Sequence, residues 1–179
     1  MTQIGSVYGG ALYALARDEE IADQIREELY QVGEVFKEEP EYLRLLSAAN
    51  IPRQERCALV DGAFRDKVHP YVLNFLKILT EKGYAKHFSS CLDAYIRQYN
   101  TDNDILPVKA VTAISLTKEQ IARLEGKISA ITCKKAQVEN RVDEQCLGGV
   151  LLEYDGTQVD GSVASRMEKI RKLLKNTVL

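Results

Sequence analysis

The feature that most constrains this chain is a change of apolar period just after residue 100. Before it, apolar side chains recur every three or four positions, the spacing that lines one face of a helix. Ile4, Val7, Ala11, Leu12 and Leu15 mark the face of a first helix. Asp18 follows as an N-cap for a second, which carries Ile21, Ile25, Leu29, Val32 and Phe36. Pro40 sits just inside the start of a short third helix with Leu43, Leu45 and Leu46. Asn50 and Pro52 punctuate the next boundary, and Leu59, Val60, Ala63 and Phe64 carry a fourth. Pro70 opens a fifth with Val72, Phe75, Leu76 and Leu79 on one side, and Gly83 closes it. Phe88, Leu92, Tyr95 and Tyr99 define a sixth. Six short helices with brief connections predict an antiparallel bundle over residues 1–104.

Beyond TDNDILP (residues 101–107) the grammar is different. KAVTAIS alternates and is rich in β-branched residues, which predicts a strand. Thr117 and Gln120 form a capping box for a helix running to about Ser129. KKAQVENRV predicts a second strand and GGVLLEY a more buried one, followed by Asp155-Gly156 as a hairpin turn. A last helix is expected from near Ser162, with Val163, Met167, Ile170 and Leu174 in line. The predicted fold class is therefore α+β, a six-helix antiparallel bundle followed by a small α/β domain at 105–179. TDNDILP is read as a linker that leaves the two domains free to move.

Charge divides along the same line. Residues 1–105 hold 12 basic and 17 acidic side chains, a net −5, and residues 106–179 hold 12 and 9, a net +3, within a total of −2. A protein living mainly on nucleic acid or anionic lipid needs clustered Lys and Arg, so the overall balance argues against that class. The +3 half, with its basic segment EKIRKLLKNTVL, keeps a nucleic-acid-binding or other adaptor module as the alternative reading. A solvated helix face with cations near its end explains the same residues. MTQIGSVYGG lacks the layout of a signal peptide, and no apolar run approaches the length of a membrane span, so an intracellular chain without membrane insertion is expected.

Residues that could carry chemistry are few. Cys57, Cys91, Cys133 and Cys146 are scattered without C-x-x-C spacing and are read as reduced thiols rather than metal ligands or disulfides. His69, before Pro70, fits a capping or surface role, and His87 fits a helix surface. No G-x-S-x-G, H-E-x-x-H or phosphate-loop pattern occurs. Gly148-Gly149 precedes a strand instead of following one, which points to a bulge or close backbone approach. Asp18-Glu19-Glu20 and Glu38-Glu39 are read as acidic N-termini of helices, suited to the dipole. Tyr8, Tyr13, Tyr95 and Tyr99 fall on or beside helical stripes and are expected to pack there. No catalytic residue, metal or cofactor is expected.

Three segments together resemble a known family along nearly the whole chain. SVYGGALYALA, with Tyr8, Ala11, Leu12 and Ala16, is similar to the opening pattern of the delta subunit of the F-type ATP synthase and its mitochondrial relative, the oligomycin-sensitivity-conferring protein. VLNFLKILTEKGYAKHF, with Asn74, Phe75, Leu76, Leu79 and Gly83, resembles that family's fifth-helix signature. VDEQCLGGVLLEYDGTQVDGSVASRMEKIRKLL resembles its C-terminal signature through Asp143, Gly148, Gly149, Asp160, Ser162 and Val163. Departures are Ser6-Val7 where a basic residue is common, Gly9 for a common alanine, Tyr84 for a frequent arginine, and Ala164 for a basic residue. Gly9 is expected to weaken the first helix by up to about 1 kcal/mol.

The resemblance implies a non-catalytic stator subunit, one copy per complex. It would sit peripherally on the cytoplasmic face of a bacterial inner membrane or the stromal face of a thylakoid. An N-terminal helix of an α subunit would lie in a groove between the first and fifth helices. Apolar residues on those helices suit such helix-in-groove binding: Tyr8, Ala11, Leu12 and Leu15 with Val72, Phe75, Leu76 and Leu79. The C-terminal domain would meet the b subunit, with Gly148, Gly149, Asp160 and Ser162 shaping it or touching the partner. Phe75→Ala is expected to weaken attachment to the head more than it unfolds the bundle.

Overall fold

The computed structural model describes residues 3–48, 50–143, 146, 148–161 and 167. The chain divides into two compact units, Met1–Tyr99 and Asn100–Leu179. The first is helical: α1 (Gln3–Asp18), α2 (Ala22–Glu38), α3 (Pro40–Leu46), α4 (Arg53–Phe64), α5 (Pro70–Glu81), a 3₁₀ turn (Ala85–His87) and α6 (Phe88–Asp102).

Local chemistry sets these boundaries. His69 caps α5, its Nδ1 accepting the Tyr71 N–H, and its own N–H is held by Glu28 Oε2 from α2 at 2.6 Å. Pro40 and Pro70 occupy the first turns of α3 and α5, where a missing N–H costs nothing. At the far end of α5, Gly83 turns left-handed at φ 73°. The Tyr84 N–H then reaches the Leu79 carbonyl and the Gly83 N–H reaches that of Thr80. Gly83→Ala is expected to cost about 1 kcal/mol, read as a lower denaturation midpoint with unchanged slope. An unchanged midpoint would mean that this closure contributes nothing.

Two expectations fail at α1 and α2. Asp18 is the last residue of α1, not a cap; α2 begins after Ile21, which offers no side-chain cap. The intervening turn instead uses Glu20 at φ 58°. Asp18 and Glu38 thus close helices, and only Glu39 flanks a helix start directly, at the N-cap of α3. The helices are also not antiparallel throughout. α2 and α6 are antiparallel, since Ala22 and Asp23 meet Tyr95 and Tyr99 while Phe36 meets Phe88. α4 and α5 are antiparallel through Cys57–Glu81 and Asp61–Lys77. α1 and α6, however, advance together: Gly5 lies on Ser90, Gly9 on Cys91 and Ala94, and Tyr13 on Tyr95 and Tyr99. The glycines allow this same-direction crossing, because they let the two backbones nearly touch.

The face of α1 that enters the core is also not the one its leucine and valine spacing indicates. Gly5, Gly9, Leu12, Tyr13 and Ala16 are buried, while Val7, Ala11 and Leu15 point outward. The rest of this core comes from Ile25, Leu29, Val32 and Phe36 of α2, Val60 and Phe64 of α4, the buried side of α5, and Phe88, Cys91, Tyr95 and Tyr99 of α6.

The second unit is a four-stranded sheet with one helix: β1 (Ile105–Thr112), α7 (Lys118–Thr132), β2 (Lys135–Val142), β3 (Val150–Tyr154) and β4 (Thr157–Asp160), in the order β2-β1-β3-β4. β1 and β2 are parallel, joined through α7, and the β3–β4 hairpin adds antiparallel to β1. The Thr117–Gln120 capping box is present, and Asp155 and Gly156, both at positive φ, make the two-residue hairpin turn. Leu106, Val108, Ile128 and Ala136 form the core, with Leu124, Val138, Leu152 and Tyr154 against it. TDNDILP is not a free linker. Thr101 and Asp102 end α6, and Ile105, Leu106 and Pro107 already belong to β1. Pro107 is tolerated inside the strand because β3 pairs only with residues 109–112, leaving one side of β1 open at that point. The predicted helix from Ser162 lies outside the described residues, apart from the helical Met167.

Candidate docking site

α1 is a surface helix without a surface helix's chemistry. From Gln3 to Ala16 it contains no charged residue. Solvent-facing sides of such helices normally carry charge, and a helix that is apolar all round is normally covered all round. Here Val7 is 59% and Leu15 41% exposed, with Ala11 exposed between them, so a run at i, i+4, i+8 faces outward. The half-buried Tyr8 borders this run. Its ring meets Tyr84 edge-on at 6.0 Å, and Tyr84 meets His87 at 6.1 Å. Tyr84 follows Gly83 just past the end of α5, so the α1 face extends toward that helix end.

The eight residues suggested for a groove separate into two groups. Tyr8, Ala11 and Leu15 reach the surface. Leu12, Val72, Phe75, Leu76 and Leu79 are buried within the unit, the most exposed of them at 6%. In the free chain these five fill the core, and α5 shows the surface Asn74 and Glu81 together with the half-buried Tyr71, Leu73, Lys77 and Ile78. Lys77, the one cation of α5, is neutralised by Asp61 at 2.7 Å. The stripe pattern gave no signal for Val7 or Tyr84 as surface groups; the absence of charge in α1 is the signal that finds Val7.

The opposite side of α1 is fixed by tyrosines. Tyr95 donates to the Ala22 carbonyl, Tyr99 donates to Asp23 Oδ1, and the Arg26 guanidinium lies 4.4 Å above the Tyr99 ring. The bond to Asp23, then burial, raises the Tyr99 hydroxyl above its ordinary pKa. Burial pushes the Cys91 thiol up to about 11, which keeps it an inert apolar packer. Among the described residues no group of His, Cys, Asp and Glu could hold a metal ion. No described helix is long and apolar enough to cross a membrane.

In the second unit, Gly148 at φ 141° and Gly149 at φ 88° lead into β3. Asp160 stands opposite Leu151, and the Gly161 N–H bonds the Val150 carbonyl, so the glycine pair and Asp160 share one end of the hairpin. Ser162 lies outside the described residues. Asn140, which the sequence did not single out, ties this unit together. Its Oδ1 accepts the Leu116 N–H, and its Nδ2 donates to the Ala110 carbonyl and Thr112 Oγ1.

The described residues thus form a helical unit whose α1 presents an uncharged, exposed apolar run, followed along the chain by a small mixed-sheet unit. Comparison with known proteins gives it a family. The family model for the ATP synthase delta (OSCP) subunit matches residues 4–174. ATP synthase subunit delta of Clostridioides difficile is 30% identical, over 98% of this chain and 97% of its own. That of Lactobacillus gasseri is 31% identical over 96% and 94%, and that of Alkaliphilus oremlandii 28% over 96% of each. A chain in the cryo-EM structure of the Toxoplasma gondii mitochondrial ATP synthase hexamer shares the fold, with a TM-score of 0.75 over 97% of this chain and 98% of its own at 16% identity. This chain belongs to the ATP synthase delta (OSCP) subunit family.

Proposed function

We propose that this chain is a non-catalytic peripheral-stalk subunit that joins the catalytic head of an F-type ATP synthase to its b stalk and resists rotation of the head. The observation that carries the reading is the uncharged outer face of α1 at Val7, Ala11 and Leu15, bordered by Tyr8. An amphipathic helix laid on that face would cover apolar surface now in water, the usual mode of helix-in-groove recognition. In this reading the six-helix unit takes an α-subunit N-terminal helix. Tyr8, Ala11 and Leu15 make the contact, and the buried Leu12, Val72, Phe75, Leu76 and Leu79 support it through the packing of the unit without touching the partner. The unit at 105–179 meets the b subunit, with the turn at Gly148-Gly149 and Asp160 shaping that end. Attachment to the membrane is peripheral, through the other subunits.

The test is recovery of partners with the full-length tagged chain from mildly solubilised membranes, read by mass spectrometry at low and moderate salt. α, β and b subunits are expected at both salt concentrations, because apolar burial is weakly screened. Recovery of nucleic acid that disappears steeply with salt, without ATP synthase subunits, would overturn the proposal.

A further inference from the structure

β2 lies at the edge of the sheet and is eight residues long, a ready template for pairing with another chain. Its odd-numbered residues bond inward, as the flanking contacts show: the Lys135 N–H reaches the Asp104 carbonyl and the Asp143 N–H reaches that of Thr112. Strand alternation then turns the N–H groups of Ala136 and Val138 outward, away from β1. Neither is left open. Ala136 donates to Ser129 Oγ and Val138 donates to Glu125 Oε1, both at 3.0 Å. Ser129 and Glu125 are four residues apart on α7, so one helix face supplies both acceptors.

The strand these groups close off is complementary to itself. If two copies of β2 paired antiparallel about Gln137, Lys135 of each would stand opposite Glu139 of the other, two favourable cross-strand pairs. In that register Ala136 and Val138 of the two copies are the residues that exchange backbone hydrogen bonds. The charge-matched register therefore needs the same two N–H groups that α7 occupies.

We infer that Glu125 and Ser129 hold the β2 edge shut against a second copy of this chain, and that removing their acceptors opens it to β2–β2 dimerisation. The full-length Glu125→Ala/Ser129→Ala variant is expected to dimerise with rising concentration in sedimentation velocity, with the wild type monomeric under the same conditions. Glu125→Gln, which keeps a side-chain oxygen at the same reach, is expected to remain monomeric. Adding Lys135→Glu to the double variant should abolish the dimer, and adding Glu139→Lys as well should restore it. A folded double variant that stays monomeric overturns the inference, as does a dimer indifferent to the charge swap. Should the double variant fail to fold, amide exchange decides on the wild type and on Ser129→Ala. Slow exchange at 136 and 138 in the wild type, accelerated at 136 on the order of tenfold in Ser129→Ala, supports the seal. Coil-like exchange at both amides in the wild type overturns it.

Discussion

Replacing Gly9 with alanine is expected to destabilise the helical unit by about 2 kcal/mol or more, against the direction that helix propensity alone gives. Propensity favours Ala over Gly in a helix interior by about 1 kcal/mol. A Cβ at Gly9, however, would stand 2.2 Å from the Cys91 carbonyl oxygen and 3.0 Å from Ala94 Cβ, and at Gly5 it would stand 2.6 Å from the Ser90 carbonyl oxygen. These are backbone obstacles on α6, so the helices themselves must separate. Forced expansion of a packed interior costs roughly 1–3 kcal/mol and sometimes more. Separation would also pull Tyr13 off Tyr95 and Tyr99, and with them the bonds those tyrosines make to the start of α2. For a unit of this size the transition should fall by roughly 10 °C. A Gly9→Ala variant as stable as the wild type would show that the α1–α6 crossing is looser than its geometry.

The same crossing marks where sequence reading reaches its limit. Elements were legible wherever a local rule decides them. Pro70 and Gly83 bracket α5, Thr117 and Gln120 start α7, and Asp155-Gly156 turns the hairpin, each through chemistry confined to a few neighbouring residues. Which face of α1 is buried is not a local question. Val7, Ala11 and Leu15 repeat as a core stripe would, yet the core takes the glycine side, because α6 supplies a backbone that only glycine can meet. Strand limits failed for a related reason. Pro107 looked like a linker residue, and only the short reach of β3 explains its place in β1. Of the candidate site, α1 entered through the family resemblance, and its lack of charge is a second signal present in the same residues. The inward position of Val72, Phe75, Leu76 and Leu79 was not, because an apolar stripe does not say whether its cover comes from the same chain or from another.

That ambiguity gives the second large expectation, a pair of variants that act on different quantities. Leu15→Glu places a carboxylate at one end of the exposed apolar run and should leave folding within about 0.5 kcal/mol of the wild type, because the site is already open to water. If an apolar helix docks there, the same change should weaken its binding by about 2 kcal/mol or more, since the charge would be buried without a partner. Val7→Glu should behave alike. Phe75→Ala is the reverse case. Its ring is buried against Phe88, and deleting it should cost about 3–5 kcal/mol of stability. Its effect on binding should vanish once measured where the variant is still folded. Titration of each purified full-length variant with an α-subunit N-terminal peptide, beside its denaturation curve, separates the two. Normal affinity in Leu15→Glu, with affinity lost in a folded Phe75→Ala, would move the docking site off the outer face of α1 and onto residues that must first be uncovered. The inward-facing stripe of α5 would then belong to the interface, and the unit would have to open for its partner to enter.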